Sequence, residues 1–277
     1  MTRRASIGLI VAGWSSGILA MLPFAWLICA SLKTGSDLLD WTFLPWSDLK
    51  RISLTNYAEL FATADFPRLV VNSLFLASVQ SILLVIISGM AGFALAWHPF
   101  PGRTYVFAAL IAMMLLPAPL LLPASYAWVS RLGMLDSYLA VLLPGSASAF
   151  GVLLYHAAML RVPKALLDAA RMDGASVLRI WWDVAMPMCR PTTGAFVLLS
   201  FLATWNSYLW PQVVLLSRDR HTLAIGLSNM MSLPQYRTEY GVLMAGTVVA
   251  ILPVILLFLM VQRDFVSGLY SGGVRES

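Results

Sequence analysis

Arg161–Pro191 reads RVPKALLDAARMDGASVLRIWWDVAMPMCRP, a dense mixed-charge stretch set between two long apolar runs. Local chemistry divides it into a short helix, a turn and a second helix. Pro163 suits the first turn of a helix, where its missing N–H costs nothing. Leu166, Leu167, Ala169, Ala170 and Met172 supply apolar surface, interrupted by Asp168 and Arg171. Gly174 can take the left-handed conformation that closes a helix, and Ser176 can cap a second one running through Ile180, Trp181, Trp182 and Val184. Pro187 and Pro191 then lead into the next apolar run. A helix whose crest carries Ala169 and Ala170 lets another backbone approach closely, and Asp168 and Asp173 offer charge to a basic partner. The segment therefore suits docking into a groove on another protein. An amphipathic helix lying on lipid is the competing reading; the even spread of polar residues tells against it, and composition alone leaves both open.

Outward from this segment, six apolar runs dominate the chain: about Ile7–Ala30, Leu69–Trp97, Thr104–Trp128, Leu139–Leu160, Thr192–Leu216 and Gly241–Gln262. At about 1.5 Å per residue each is long enough for a hydrocarbon core of roughly 30 Å. None alternates with period two, so they read as helices, which satisfy their own backbone in lipid. Of 277 residues, 60% are apolar and 11% charged, far from the roughly 25% charge of soluble domains. The expectation is an all-α membrane protein of six transmembrane helices forming one domain over 1–277, with no internal repeat. Arg3 and Arg4 precede the first run, but it is too long for a signal-peptide core and no small-x-small site follows, so it is expected to stay as a span.

The polar segments lie at 31–68, 161–190 and 217–240. Six spans put both termini on one side. With that side cytoplasmic, ten of the eighteen Lys and Arg fall inside, the direction of the positive-inside rule. The charge of +5 is thus assigned to loops; no basic stretch interleaved with aromatics points to nucleic acid. Cys29 and Cys189 form neither a disulfide framework nor a zinc spacing and read as small buried residues. Pro23, Pro117, Pro119, Pro123, Pro144, Pro211 and Pro253 fall inside the runs, where each removes a donor and tends to kink a helix. The runs hold no Asp, Glu, Lys or Arg, which argues against proton- or sodium-coupled transport. No GxSxG or HExxH suggests an intramembrane enzyme. There is no GxxxxGK[ST] phosphate loop either, so any ATP must be held by another chain.

LLDAARMDGASVLRIWWDVAMPMCRP resembles the cytoplasmic coupling loop, or EAA motif, of ATP-binding-cassette (ABC) importer permeases. Asp168, Ala169 and Ala170 stand at the EAA positions, and Asp173–Ser176 match the DGAS of sugar-type members. Asp168 replaces the usual Glu, keeping the charge on a side chain one methylene shorter. TWNSYLWP at Thr204–Pro211 is similar to the fifth-helix run of the carbohydrate class, and QRDFVSGLYSGGVRES at Gln262–Ser277 to the tail of the maltose-type second permease. NSL at Asn72–Leu74, TLAIGL at Thr222–Leu227 and GVLMAG at Gly241–Gly246 agree.

The resemblance implies the type I ABC importer permease fold with a cytoplasmic coupling helix, in a bacterial inner membrane. It implies a second permease subunit, two copies of an ATPase that hold ATP and Mg, and a periplasmic or lipid-anchored sugar-binding protein; this chain would bind no cofactor or metal. Asp168, Ala169, Ala170, Arg171, Met172, Asp173, Gly174 and Ala175 would couple to the ATPase, with Asp168 facing a basic residue there. The tail from Phe265, with its Ser271-Gly272-Gly273, would reach between the ATPases or hang free. The 31–68 loop is the expected dock for the binding protein. Trp205, Asn206 and Tyr208 have two readings: hydrogen bonding to and stacking on a sugar in the pathway, or interhelical packing. His156 and Gln80 are polar within runs as well and read as packed side chains. The solute expected is a carbohydrate, with a glycerol phosphate ester or another polar solute as the alternative.

Overall fold

The computed structural model describes residues 3–33, 42–44, 51–62, 65–232 and 240–273; side chains are described from Val11 to Gln262, apart from Ala118 and Ser232. Asp37, Asp40, Asp48 and Lys50 of the expected dock, Arg237 and Glu239, and Val274–Ser277 of the tail lie outside the described residues. Among the described residues all regular structure is helical. In order the helices are α1 (Arg3–Ser31), α2 (Thr55–Ala62), α3 (Phe66–Trp97), α4 (Arg103–Met114), α5 (Leu122–Arg131), α6 (Tyr138–Leu142), α7 (Ala149–Met159), α8 (Lys164–Met172), α9 (Val177–Ile180), α10 (Met186–Met188), α11 (Arg190–Trp205), α12 (Leu209–Val214), α13 (Leu223–Ser232) and α14 (Tyr240–Gly273). A π-helical turn, Trp181–Ala185, joins α9 to α10.

Three helices are long and apolar enough to cross a membrane: Val11–Ser31 of α1, α3, and Tyr240–Gln262 of α14. They match the first, second and sixth runs. The other three runs are broken. The third stops at Met114 and resumes through a 3-10 turn at Ala118–Leu121, where Pro117, Pro119 and Pro123 leave too few N–H groups for a continuous ladder. The fourth is split into α6 and α7 by 143–148, which contains Pro144-Gly145. The fifth is split into α11 and α12 at 206–208, just ahead of Pro211. Taking α4 with α5, and α7 with α8, as bent single spans gives up to five crossings. The 85° bend between α7 and α8, however, turns α8 almost perpendicular to the helix before it.

Contacts group the chain into two compact units. The first comprises Met1–Pro67 with Gly226–Pro253. In it Asn56 Nδ2 donates to the Ser31 and Lys33 carbonyls, at 2.7 Å each. A Cβ on Gly246 would come within 2.8 Å of Leu227, so α14 approaches α13 closely there. Side chains of α1 from Val11 to Trp26 are all exposed, yet Ser15 and Ser16 return their hydroxyls to the Ala12 carbonyl at 3.0 and 2.8 Å. The two serine hydroxyls on that stretch are thereby satisfied within the helix.

The second unit comprises Arg68–Ile225 with Val254–Ser277. Its core depends on a stripe of small residues along α3, Ser88, Gly92 and Ala96, one turn apart and all buried. At Gly92 an added Cβ would sit 2.6 Å from Tyr155 Cβ and 2.8 Å from the His156 nitrogen, so α3 and α7 meet backbone to backbone. Opposite, Gly151 leaves space that Ser88 and Phe196 fill. Tyr155 donates to Thr193 Oγ1 at 3.0 Å and sets its ring edge-on to Phe196, bringing α11 against α7. Cys189 is buried and donates to Met159 Sδ at 3.6 Å; Cys29 is half-buried.

At the other end of α3, Asn72 Nδ2 donates to the Asp219 and His221 carbonyls at 3.0 and 2.9 Å, and Oδ1 accepts from Tyr138 at 2.8 Å. Ser73 Oγ accepts from the Leu223 N–H at 2.8 Å. Beside them Asp136, left-handed at φ 57°, accepts the Leu216 and Ser217 N–H groups at 2.9 Å each. Its second oxygen takes the Ser217 hydroxyl and faces Arg220 at 3.3 Å. The Ser217 hydroxyl, then the Ser217 and Leu216 N–H groups and Arg220, hold the carboxyl below its ordinary range.

Two outcomes follow from these contacts. Gly92→Leu should lower stability in detergent by about 1–3 kcal/mol through overpacking, whereas Gly13→Leu, with nothing near its Cβ, should leave the melting curve in place. A carboxyl with a depressed folded pKa adds stability above its unfolded value of about 3.9 and loses it as pH falls through the folded value. Asn tolerates the left-handed backbone, so Asp136→Asn should flatten the fall in melting temperature between about pH 5 and about pH 3; a fall as steep as in the unaltered chain would show that Asp136 contributes none of it.

Candidate functional site

The 161–190 segment has the predicted order of helix, turn and helix, and its local chemistry accounts for each boundary. Pro163 stands one residue before α8 at φ −61°. At the other end Asp173 is the C-cap and Gly174 is left-handed at φ 80°. The Ala175 N–H reaches back to the Ala170 carbonyl and the Gly174 N–H to the Arg171 carbonyl, at 3.0 Å each. This pair of bonds is the Schellman closure, satisfying carbonyls that would otherwise end bare. Ser176, extended at ψ 158°, accepts the Arg179 N–H at 3.4 Å and starts α9. Arg179 and Asp183 pair at 3.3 Å across an exposed surface, an interaction worth at most about 0.5 kcal/mol.

Two faces of α8 do different work. Leu167 is buried and joins a core with Phe93, Tyr155, Met159, Ile180 and Trp181, so the segment is clamped to the body of its unit. Ala170 and Ala175 pack partly buried against that core. Lys164, Asp168 and Arg171 flank Leu167 on the same side and line a groove facing Trp97 and His98 at the end of α3. The opposite face presents Leu166, Ala169, Met172 and Asp173 outward; Met172 is 88% exposed. Beyond the turn, Leu178 and Trp182 are 65% and 58% exposed. The eight residues singled out in the sequence thus lie on one short element but not on one surface. Asp168 and Arg171 flank the inner groove, Ala170 and Ala175 sit against the core, and Ala169, Met172 and Asp173 face outward around Gly174.

The structure separates Trp205, Asn206 and Tyr208. Trp205 is buried, its ring stacked on Phe201 at 5.7 Å, as the packing reading expects. Asn206 is the exposed C-cap of α11, and Tyr208, also exposed, is the N-cap residue of α12. His156 packs on Phe107, ring to ring at 5.1 Å. Gln80 is buried beside Gly145, in the break between α6 and α7, and its Nε2 has no hydrogen-bond partner among the described residues. Sequence reading gave no special place to Gly92, Gly151 or Asp136. The spacing Ser88-x3-Gly92-x3-Ala96 is the signal from which the first could have been read.

The family model for the binding-protein-dependent transport system inner membrane component matches residues 85–265. The chain is 36% identical to the arabinooligosaccharides transport system permease protein AraQ of Bacillus subtilis, over 93% of this chain and 92% of that one. It is 31% identical to the lactose transport system permease protein LacG of Rhizobium radiobacter, over 92% and 91%. Among solved structures, a chain of a bacterial ABC transporter involved in import of the acidic polysaccharide alginate superposes with a TM-score of 0.80 at 24% identity, covering 96% of this chain and 99% of that one; at that identity the likeness shows the fold.

Proposed function

Because the chain belongs to the family of binding-protein-dependent transport system inner-membrane components, we propose that it forms half of the translocation pathway of an ABC importer for a carbohydrate. The observation that carries this reading is α8: a short helix turned 85° from α7, rooted in the core through Leu167 and presenting an outward face of Leu166, Ala169 and Met172. Such a face suits a cleft on an ATPase subunit. The ATPase would carry ATP and Mg, and a displacement of α8 would move α7 and α11 as one body through the shared core.

In this reading the chain is one permease domain with six spans, α1, α3, α4 with α5, α6 with α7, α11 with α12, and α14, both termini being cytoplasmic. α8 is then the coupling helix and not half of a crossing. A second permease subunit, two ATPases and a periplasmic or lipid-anchored sugar-binding protein complete the assembly. α14, which runs on to Gly273, would carry the tail toward the ATPases. The 31–68 loop would dock the binding protein.

The breaks at 143–148 and 206–208 are the proposed pathway lining. Irregular backbone at membrane depth persists only where protein or a water-filled cavity covers it. Gly145, Ala147, Asn206 and Tyr208 are exposed at these breaks, and carbonyls freed there suit a solute rich in hydroxyls. Asn206 and Tyr208 would meet the solute, with Trp205 holding the break against Phe201.

The deciding experiment is recovery of the tagged chain from its native membrane with its companions, followed by ATP hydrolysis with the binding protein and candidate solutes. A second permease and an ATPase, stimulated by one sugar, are expected. Stimulation by glycerol phosphate alone would replace the carbohydrate, and transport by the chain alone without ATP would end the importer reading. Gly174→Val forces a branched side chain into a left-handed site at about 1–2 kcal/mol. It should weaken assembly and cut transport by about tenfold relative to hydrolysis; unchanged transport would remove α8 from coupling.

A further inference from the structure

Gln80 stands between two apolar cores on α3. Leu76, Gln80 and Leu84 follow one another a turn apart along one buried stripe. On one side of Gln80, Leu76 and Val79 pack with Val141 of α6 and Val214 of α12. On the other, Leu84 and Val85 belong to the core built by Tyr155 of α7 and Phe196 of α11. The breaks at 143–148 and 206–208 separate α6 from α7 and α11 from α12, so both breaks fall at the junction of the two cores. α3 runs through that junction unbroken, with Gln80 and Ser81 at its middle.

These two polar residues are treated differently. Ser81 returns its hydroxyl to the Ala77 carbonyl at 2.7 Å, the local bond that satisfies a serine inside a helix. Gln80 is 4% exposed, and its Nε2 finds no partner among the described residues. Its amide lies against Gly145: a Cβ there would sit 3.3 Å from Nε2 and 3.4 Å from both Cδ and Oε1. The near-equal distances put the amide face-on to Gly145, so its N–H groups, which lie in the amide plane, point elsewhere. Gly145 is itself exposed, and from that side a residue without a side chain covers the amide. The turn that carries Gly145 is closed within itself, Ser146 giving both its N–H and its hydroxyl to the Leu143 carbonyl at 3.2 and 2.8 Å. It can shift without breaking a bond to Gln80 Nε2.

A buried donor left unpaired is costly, the more so where no water reaches it. α3 is long and apolar enough to cross a membrane, and a free polar group at the middle of such a helix marks a solute path. We propose that Gln80 contacts the transported solute: when the 143–148 turn moves aside, Nε2 donates to a solute hydroxyl held between the two cores. This rests on the carbohydrate-importer reading and adds to its pathway lining a residue that is covered in the present conformation. The chemistry favours a neutral, hydroxylated solute. A primary amide offers donors and an acceptor to a group that is itself both, and a buried donor separates a hydroxyl from a hydrogen far better than an apolar wall does. A phosphate would be met by cations, and Arg68, in the first turn, is the only charged residue of α3.

The test reads uptake by the full complex in proteoliposomes, with the binding protein saturated in turn by pentose and hexose oligosaccharides and by their monodeoxy analogues. The unaltered chain should import one parent sugar at least about tenfold faster than one of its deoxy analogues. Gln80→Leu should bring that preference below about twofold, while Ser81→Ala leaves it unchanged. No preference in the unaltered chain, an unchanged preference in Gln80→Leu, or equal proportional losses for parent and analogue would make Gln80 a packing residue and overturn the proposal. If the unaltered complex imports glycerol phosphate and no sugar, the carbohydrate reading fails and the proposal with it. A second measurement needs no sugar. Gln80→Cys, in a chain carrying Cys29→Ala and Cys189→Ala, should react with a water-soluble methanethiosulfonate at least about tenfold faster in one of two states, ATP-bound or nucleotide-free, because access sets thiol reactivity. Equal rates in both states would leave the position inside the packing and overturn the proposal as well.

Discussion

A peptide group inside hydrocarbon has no water to turn to, and every helix in this chain is shaped by that fact. α1 answers it with one continuous helix, despite Pro23, and serine hydroxyls folded back onto the Ala12 carbonyl. α3 answers it over 32 residues and so becomes the rod against which the second unit packs. Where proline interrupts the ladder, the freed groups must find protein or a hydrated path, which limits where the breaks can lie. The three broken runs are therefore concentrated in the part of the chain that surrounds α3, and not in α1 or α14.

Packing without a hydrophobic drive between helices needs close contact instead. Ser88, Gly92 and Ala96 supply it by removing side-chain bulk along one edge of α3, and Tyr155 and Phe196 use the space. The same core receives Leu167, Ile180 and Trp181 from the 161–190 segment. An exposed loop is thereby continuous with a buried helix junction. A displacement at its surface would be passed to α7 and α11 together, since close-packed cores deform little.

Much of this was legible in the sequence. Gly174, Ser176 and Pro163 sit at or beside the helix boundaries their chemistry predicts, because capping is decided within a few residues. The first, second and sixth runs became α1, α3 and α14, whereas the third and fifth, as long as the first or longer, did not stay whole. The breaks were harder: Pro117, Pro144 and Pro211 were visible, but whether proline kinks a helix or ends it depends on what accepts the freed carbonyls, which lies elsewhere in the chain. Trp205 turning inward onto Phe201 and Asp136 reaching residues 216–220 are contacts settled by tertiary packing, and no window of sequence contains both partners of the second. The division of α8 into an inner and an outer face was implicit in its spacing, yet which face turned inward was fixed only by Leu167 finding the end of α3.

The π turn at Trp181–Ala185 gives the segment between α8 and α11 a property of counting. A π turn accommodates one residue more than an α turn, and each residue of helix advances about 100° around the axis. The extra residue is thus absorbed by the turn itself: with one position removed, the π turn would close as an α turn and the flanking helices would keep nearly the same phase. One residue added or removed in the α-helical stretches beside it would instead rotate everything before it by about that angle, and the crest of α8 would point elsewhere. The π turn is therefore a place between α8 and α11 where the number of residues can change by one without shifting the phase of the surface that α8 presents.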